Sequence, residues 1–171
     1  MSNRVPVLTY YLEMLEAPEN YISPPDQKLH ILQSENPSID FYLYIYNRVG
    51  SKYNWVDRNI MSREELAKII SSEGVEIHIL YESGSPAGFV ELDFRQEGVC
   101  ELAYFGLLPE YTGMGLGKYF LGWAIRKAWT KDINRLWVHT CELDHPAALP
   151  TYQKAGFKLY EEKEVMQENS D

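Results

Sequence analysis

Between Val75 and Leu108 the chain alternates apolar and polar side chains with a period of two, and this stretch limits the fold more than any other. Val75, Ile77, Ile79 and Tyr81 alternate with Glu76 and His78, Glu82 to Pro86 supply turn residues, and Val90, Leu92 and Phe94 then alternate with Glu91, Asp93 and Arg95. Successive side chains of a strand point to opposite faces, so the pattern predicts a hairpin. After Gln96-Glu97-Gly98, the run Val99 to Leu108 predicts a third strand, giving three consecutive antiparallel strands in the middle of the chain.

Downstream the period changes. Leu116, Phe120, Ala124 and Ala128 recur every four residues with Leu121 and Ile125 beside them, which predicts a helix packed on the sheet. Leu136, Val138 and Thr140 alternate with Trp137, His139 and Cys141 as a strand, Pro146 to Lys154 reads as a short helix, and Phe157 to Val165 as a closing strand. Upstream, Val7 to Leu15 and Leu29 to Gln33 read as strands, and Ile39 to Arg48 and Arg63 to Ser71 as helices, with Ser62 and Glu65 spaced as a capping box. These elements predict an α/β fold in which a mixed, mostly antiparallel central sheet is flanked by helices on both faces. With 171 residues, 45% of them apolar, one core suffices: residues 1–165 read as a single domain and 166–171 as a disordered tail.

Composition narrows the function. No apolar run has signal-peptide or membrane-spanning length, which predicts a cytoplasmic chain without a membrane partner. Cys100 and Cys141 are too few for a disulfide framework and read as reduced thiols in strands. A net charge of −9 argues against nucleic acid, whose binding needs clustered Lys and Arg to displace counterions. Such a surface suits cationic partners or serves plain solubility, and it leaves a homodimer open.

The sharpest chemical signal is Thr112-Gly113-Met114-Gly115-Leu116-Gly117-Lys118, between a strand and the start of a helix. Glycines let the backbone curl so that successive N–H groups point inward, and the helix N-terminus adds about half a positive charge, so the turn can hold an anion such as a pyrophosphate. Lys118 can add a full charge. A dinucleotide-binding fingerprint fits poorly, because the preceding strand belongs to a hairpin series. A phosphate-binding P-loop would need Ser or Thr where Tyr119 stands.

The stretch from Glu101 to Lys118, Glu-Leu-Ala-Tyr-Phe-Gly-Leu-Leu-Pro-Glu-Tyr-Thr-Gly-Met-Gly-Leu-Gly-Lys, resembles the coenzyme A motif of the GNAT N-acetyltransferases. Downstream, Asp144-His145-Pro-Ala-Ala-Leu-Pro-Thr-Tyr152-Gln-Lys-Ala-Gly-Phe157 is similar to that family's second motif of Asn, Ala, Leu-Tyr and Gly-Phe, and together the likeness covers residues 75–165. The resemblance implies the acyl-coenzyme A N-acyltransferase fold, with acetyl-coenzyme A as co-substrate. Leu107 backbone groups would hold the pantetheine arm and polarise the thioester carbonyl. Backbone amides of Gly113, Met114, Gly115, Leu116, Gly117 and Lys118 would hold the pyrophosphate. Thr112 stands where the family usually has Gln or Arg, removing one cationic contact, and His145 stands where it often has Asn.

An alkylamine with a pKa of ~10.4 must lose a proton to attack at pH 7, a deficit of about 4.6 kcal/mol, so the reaction calls for a base. The setting of Glu101 resembles the base-bearing strand of the family's protein-lysine acetyltransferases, and Glu91 is the reserve candidate; either can equally be a strand carboxylate without a catalytic part. Tyr152 falls at the family's general-acid position. A phenol is a weaker acid than a thiol, so hydrogen bonding to the departing thiolate would be most of its role. His139, Cys141 and His145 match no zinc spacing, no metal is expected, and His139 reads as a satisfied strand histidine. The aromatic stretch Tyr42, Tyr44, Tyr46, Tyr53 and Trp55 reads either as core or as a wall of the acceptor pocket. The resemblance thus implies transfer of an acetyl group to a primary amine, small molecule or protein, by direct attack in a ternary complex. The alternatives are a coenzyme A-binding sensor without turnover and, more remotely, a dinucleotide-binding module.

Overall fold

The computed structural model describes residues 3–20, 22–25 and 28–169. Seven strands, β1 (Arg4–Met14), β2 (Leu29–Gln33), β3 (Val75–Glu82), β4 (Ser85–Asp93), β5 (Val99–Leu107), β6 (Arg135–Cys141) and β7 (Lys158–Glu168), form one sheet in the order β2-β3-β4-β5-β6-β1-β7. The connections carry helices α1 (Ile39–Gly50), α2 (Asp57–Ile60), α3 (Arg63–Ile70), α4 (Leu116–Ala128) and α5 (Ala148–Lys154). Every strand pair is antiparallel except β5 with β6, so the sheet is mixed as the patterning implies.

Alternation sorts the side chains of the central strands into two cores. On one face Val90, Leu92, Leu102, Leu136 and Val138 pack under Phe120, Leu121, Ala124 and Ile125 of α4. On the other, Ile77, Ile79 and Phe89 pack under Tyr42, Ile45 and Val49 of α1 and Leu66 and Ile70 of α3. Burying one such Leu, Ile or Phe side chain contributes roughly 1.5–3 kcal/mol, so each face holds its helices through a handful of contacts. The start of α3 forms the expected capping box, with the Ser62 hydroxyl accepting from the Glu65 N–H and the Glu65 carboxylate accepting from the Ser62 N–H. At the start of α1 the Ser38 hydroxyl accepts from the Phe41 N–H, without the reciprocal bond.

The segment from Met166 onward is polar and was expected to be disordered, yet Met166, Gln167 and Glu168 continue β7 and pair with Pro6, Val5 and Arg4. Arg4 adds an ion pair to Glu168 at 2.7 Å. Backbone pairing with β1 orders these residues without any apolar burial of their own. Ser170 and Asp171, the end of that tail, lie outside the described residues. Among the described residues, no helix is long and apolar enough to cross a membrane.

The feature that makes a site is a gap in the sheet. β5 and β6 pair only at Val99 with Arg135, Cys100 with Leu136 and Glu101 with Trp137. Beyond this point β5 stays with β4 as far as Leu107, while β6 stays with β1 as far as Cys141. A register shift on β4 between Glu91 and Leu92, opposite Tyr104 and Leu102, leaves Ala103 as an extra residue on β5. Such a bulge bends its strand, and this one sits where β5 leaves β6.

Candidate functional site

The parted strands open a cleft of about 450 Å³ that passes from one face of the sheet to the other. Leu102, Phe105, Leu107, Val138, Tyr152 and the turn from Thr112 to Lys118 line it on the α4 face. Val49, Tyr53, Trp55, Asp57, Tyr104, His139 and Cys141 line it on the α1 face. A ligand on each side could therefore meet another at the level of the missing β5–β6 hydrogen bonds.

On the α4 side the glycine-rich turn has the conformation its composition implies. Gly113 and Gly115 both adopt positive φ, 77° and 78°, and Gly115 is the residue preceding α4. A Cβ at either would meet no atom within 4 Å, so the demand for glycine here is conformational and the turn is open to a ligand. Lys118 is exposed and makes no ion pair among the described residues. An open turn, a 13-residue helix behind it and one uncommitted lysine together suit a phosphate-bearing ligand, and so fit acetyl-coenzyme A. The side chains of the turn divide: Met114 points to solvent and Leu116 is buried in the core, so only their backbone groups could serve the site. The Thr112 hydroxyl donates to the Pro109 carbonyl at 2.9 Å and closes the turn on itself.

Tyr152, on α5, is nearly buried, packs edge-on against Phe157 and borders the cleft. Burial first, and the Asp144 charge second, raise its hydroxyl above the ordinary phenol range. His145 is exposed, its Nδ1 accepts from the Ala147 N–H at 3.0 Å, and its ring meets the Tyr53 ring at 5.8 Å. Asp144, which heads the second motif but was given no role there, joins the two sides. Its carboxylate accepts from the Trp55 indole at 3.1 Å, the Thr140 hydroxyl at 2.6 Å and the Cys141 N–H at 3.0 Å.

The α1 side is aromatic and acidic. Trp55 packs against Tyr46 and Tyr104 with ring centroids 5.5 Å and 5.1 Å apart, and α1 approaches β5 so closely that a Cβ on Gly106 would overlap Val49. The aromatic stretch thus splits by role: Tyr42 and Tyr46 are core, Tyr44 is exposed, and Tyr53 and Trp55 line the cleft. Asp57 also faces the cleft, and its carboxylate has no hydrogen bond or ion pair among the described residues.

The two candidate bases part company. Glu91 is fully buried, accepts from the Tyr42 hydroxyl at 2.5 Å and is paired with Arg58 at 2.6 Å. Arg58 also donates to the Tyr42 oxygen at 3.2 Å. That triad uses the carboxylate to neutralise a buried guanidinium and anchor α2 against α1. Glu101 is only partly buried and, among the described residues, pairs with no Lys or Arg. Burial, reinforced by the charges of Asp93 and Glu91, pushes its pKa up to about 7. Glu101 stands beside the cleft without lining it. His139 lines the cleft, and its Nδ1 lies 3.6 Å from the Glu101 Oε1.

Cys100 is buried, whereas Cys141 reaches the cleft wall, and both thiols are free. Among the described residues, no three His, Cys, Asp or Glu side chains are grouped to hold a metal ion.

Comparison with known proteins gives the geometry a family. No curated sequence matches the chain. Among solved structures, a functionally uncharacterised Staphylococcus epidermidis protein is similar over 98% of this chain at 15% identity and a TM-score of 0.68, and this chain spans 64% of its length. The ribosomal-protein-S18-alanine N-acetyltransferase of Escherichia coli aligns over 77% of this chain and 78% of its own, at 21% identity and a TM-score of 0.62. An aminoglycoside acetyltransferase from an uncultured soil metagenomic sample aligns over 75% of this chain and 87% of its own, at 13% identity and a TM-score of 0.60. At these identities the structures share the fold alone. The model of the acetyltransferase (GNAT) family matches residues 40–157, which hold the glycine-rich turn, the parted strands and Tyr152, and the chain belongs to that family.

Proposed function

We propose that the protein transfers the acetyl group of acetyl-coenzyme A to a primary amine by direct attack in a ternary complex. The observation that carries this reading is the cleft itself. One channel through the sheet has an anion-holding turn at one end and an aromatic, acidic pocket at the other, so a thioester and an amine can approach from opposite faces.

On the α4 side, the backbone amides of the Gly113–Lys118 turn and the Lys118 ammonium hold the pyrophosphate, with Thr112 and His145 at the rim. The Leu107 backbone polarises the thioester carbonyl and stabilises the oxyanion. On the α1 side the cleft wall has, among the described residues, no free lysine or arginine but has Asp57 beside Tyr53, Trp55 and Tyr104, a lining suited to a small cationic amine. Glu101 is the base, acting through an intervening group. The amine nitrogen bonds to the carbonyl carbon, the C–S bond breaks, and the thiolate leaves beside Tyr152. Because burial makes the Tyr152 hydroxyl a still weaker acid than usual, its contribution is a hydrogen bond to the thiolate, which then takes its proton from solvent.

Initial rates measured while both substrates are varied test the reading. Intersecting double-reciprocal lines are expected. Parallel lines would show an acyl-enzyme and contradict direct attack, and tight acetyl-coenzyme A binding without thiol release would establish the sensor alternative.

A further inference from the structure

We infer that His139 is the proton relay between the acceptor amine and Glu101, so that the base of this protein is a histidine–carboxylate pair. The inference rests on the proposed transferase reading and deepens it. Glu101, the carboxylate best placed by sequence to take a proton, is not among the residues lining the cleft. His139 is, and it stands between the cleft and Glu101 with Nδ1 3.6 Å from Oε1. That separation is longer than a hydrogen bond, and a small rotation of either side chain closes it.

The fold places this pair deliberately. Glu101 and Trp137 are the last partners before β5 and β6 part, and His139, two residues further along β6, shares their face at the mouth of the gap. Its ring is held between Tyr11 of β1, at 5.9 Å, and Trp137, also at 5.9 Å, which leaves one edge towards Glu101 and part of the ring open, with 43% of the side chain exposed. The neighbouring β4–β5 partner of Glu101 is Asp93, itself held by Arg95.

The groups facing the pair come from every element around it. Asp57 of α2 and Asp144 beyond β6 face His139 and favour its charged form, while burial, the larger influence, lowers its pKa. Asp93 and Glu91 of β4 raise the Glu101 pKa, and Arg58 and Arg95 oppose them. At neutral pH the imidazole is therefore neutral and ready to accept a proton, with a carboxylate near half-ionised behind it.

In the transfer step an ammonium proton passes to His139 Nε2, directly or through one water, while the Nδ1 proton passes to Glu101. The amine lone pair then forms the C–N bond, the second nitrogen proton passes to water, and the C–S bond breaks with the thiolate taking its proton from solvent. The partly exposed Glu101 returns its proton to solvent, and a tautomeric shift resets the imidazole, so no further reactant is consumed.

His139→Gln, Glu101→Gln and the double variant test the relay by kinetics and by nuclear magnetic resonance titration of the histidine rings. Each single variant should lose roughly 10²–10⁴ in kcat/KM at pH 7. The double variant should lose little more than either, because the two groups act as a unit. The acetyl-coenzyme A thermal shift should be retained in all three. In the wild type the His139 ring, assigned by its absence from His139→Gln, should show an inflection near the Glu101 transition that vanishes in Glu101→Gln. Identical His139 curves in wild type and Glu101→Gln, or wild-type kinetics for His139→Gln, would overturn the relay. The titration needs no turnover, so a wild type that releases no thiol would sink the transferase reading separately.

Discussion

Replacing Glu101 by Gln should stabilise the protein at alkaline pH while disabling it. In the folded chain burial and the Asp93 and Glu91 charges hold the Glu101 pKa near 7, against an ordinary value of 4.5. The folded state therefore keeps a proton between these two pH values that the unfolded state has released. Stability contributed by this group falls as pH rises through that window, and the full penalty is present above it. At 1.36 kcal/mol per pH unit the penalty is about 3 kcal/mol. Gln has the same shape and no charge to desolvate, so Glu101→Gln should be more stable than wild type by about 3 kcal/mol at pH 8.5 and equal to it at pH 4. For a domain of this size that is a rise in Tm of about 6–12 °C at pH 8.5. Thermal melts of both proteins across pH 4–9 give the comparison. A variant no more stable at pH 8.5 than at pH 4, relative to wild type, would refute the claim that Glu101 is a strained carboxylate. Loss of activity with gain of stability is the pairing expected of a site that keeps an unfavourable charge for use.

Other perturbations separate the remaining roles. Gly115→Asp should cost about 1 kcal/mol through its positive φ yet still fold, since no atom obstructs the side chain, and its carboxylate should abolish the melting shift given by acetyl-coenzyme A. In the wild type that shift should correspond to about 2.7 kcal/mol at a hundredfold excess over Kd, and Gly115→Ala, with the strain but not the charge, should retain it. Tyr152→Phe should lower kcat modestly with the acetyl-coenzyme A KM unchanged; a raised KM at constant kcat would mark Tyr152 as a packing residue. Glu91→Gln should destabilise the fold by about 3–5 kcal/mol in denaturant titrations, because it leaves the Arg58 guanidinium buried without its partner. An unchanged midpoint would contradict the structural role of the triad.

The parts of this structure that were legible in the sequence are those set by local periodicity. The period-two run predicted β3, β4 and β5, the four-residue recurrence predicted α4 nearly to its ends, and Ser62 with Glu65 predicted the cap of α3. The glycine-rich turn was legible for the same reason, since its backbone conformation is encoded by the residues within it. What stayed hidden depends on distant partners. Glu91 could be read as a base because Arg58, 33 residues away, gives no local sign of pairing with it. The parting of β5 from β6 follows from a bulge and from β6 pairing with a strand at the other end of the chain, and no periodicity reports either. Hence His139 read as a satisfied strand histidine, although the gap exposes it to the cleft. The roles of Asp57, in the short helix α2, and of Asp144, which was quoted only as part of a motif, were missed likewise, because their placement comes only with the fold. The tail shows the reverse error: Met166 to Glu168 are too polar to predict a strand, but β1 supplies their hydrogen bonds.

The central claim is that this cleft moves an acetyl group and does not merely hold its carrier. The most direct measurement incubates the protein with acetyl-coenzyme A and a panel of monoamines, polyamines, amino sugars and peptides, following free thiol and the mass of the acceptor together. Thiol release is expected in step with formation of an N-acetylated amine, fastest for small cationic acceptors and slowed by roughly 10²–10⁴ when Glu101 and His139 are both replaced. Saturable acetyl-coenzyme A binding with no thiol released by any amine in the panel would contradict it.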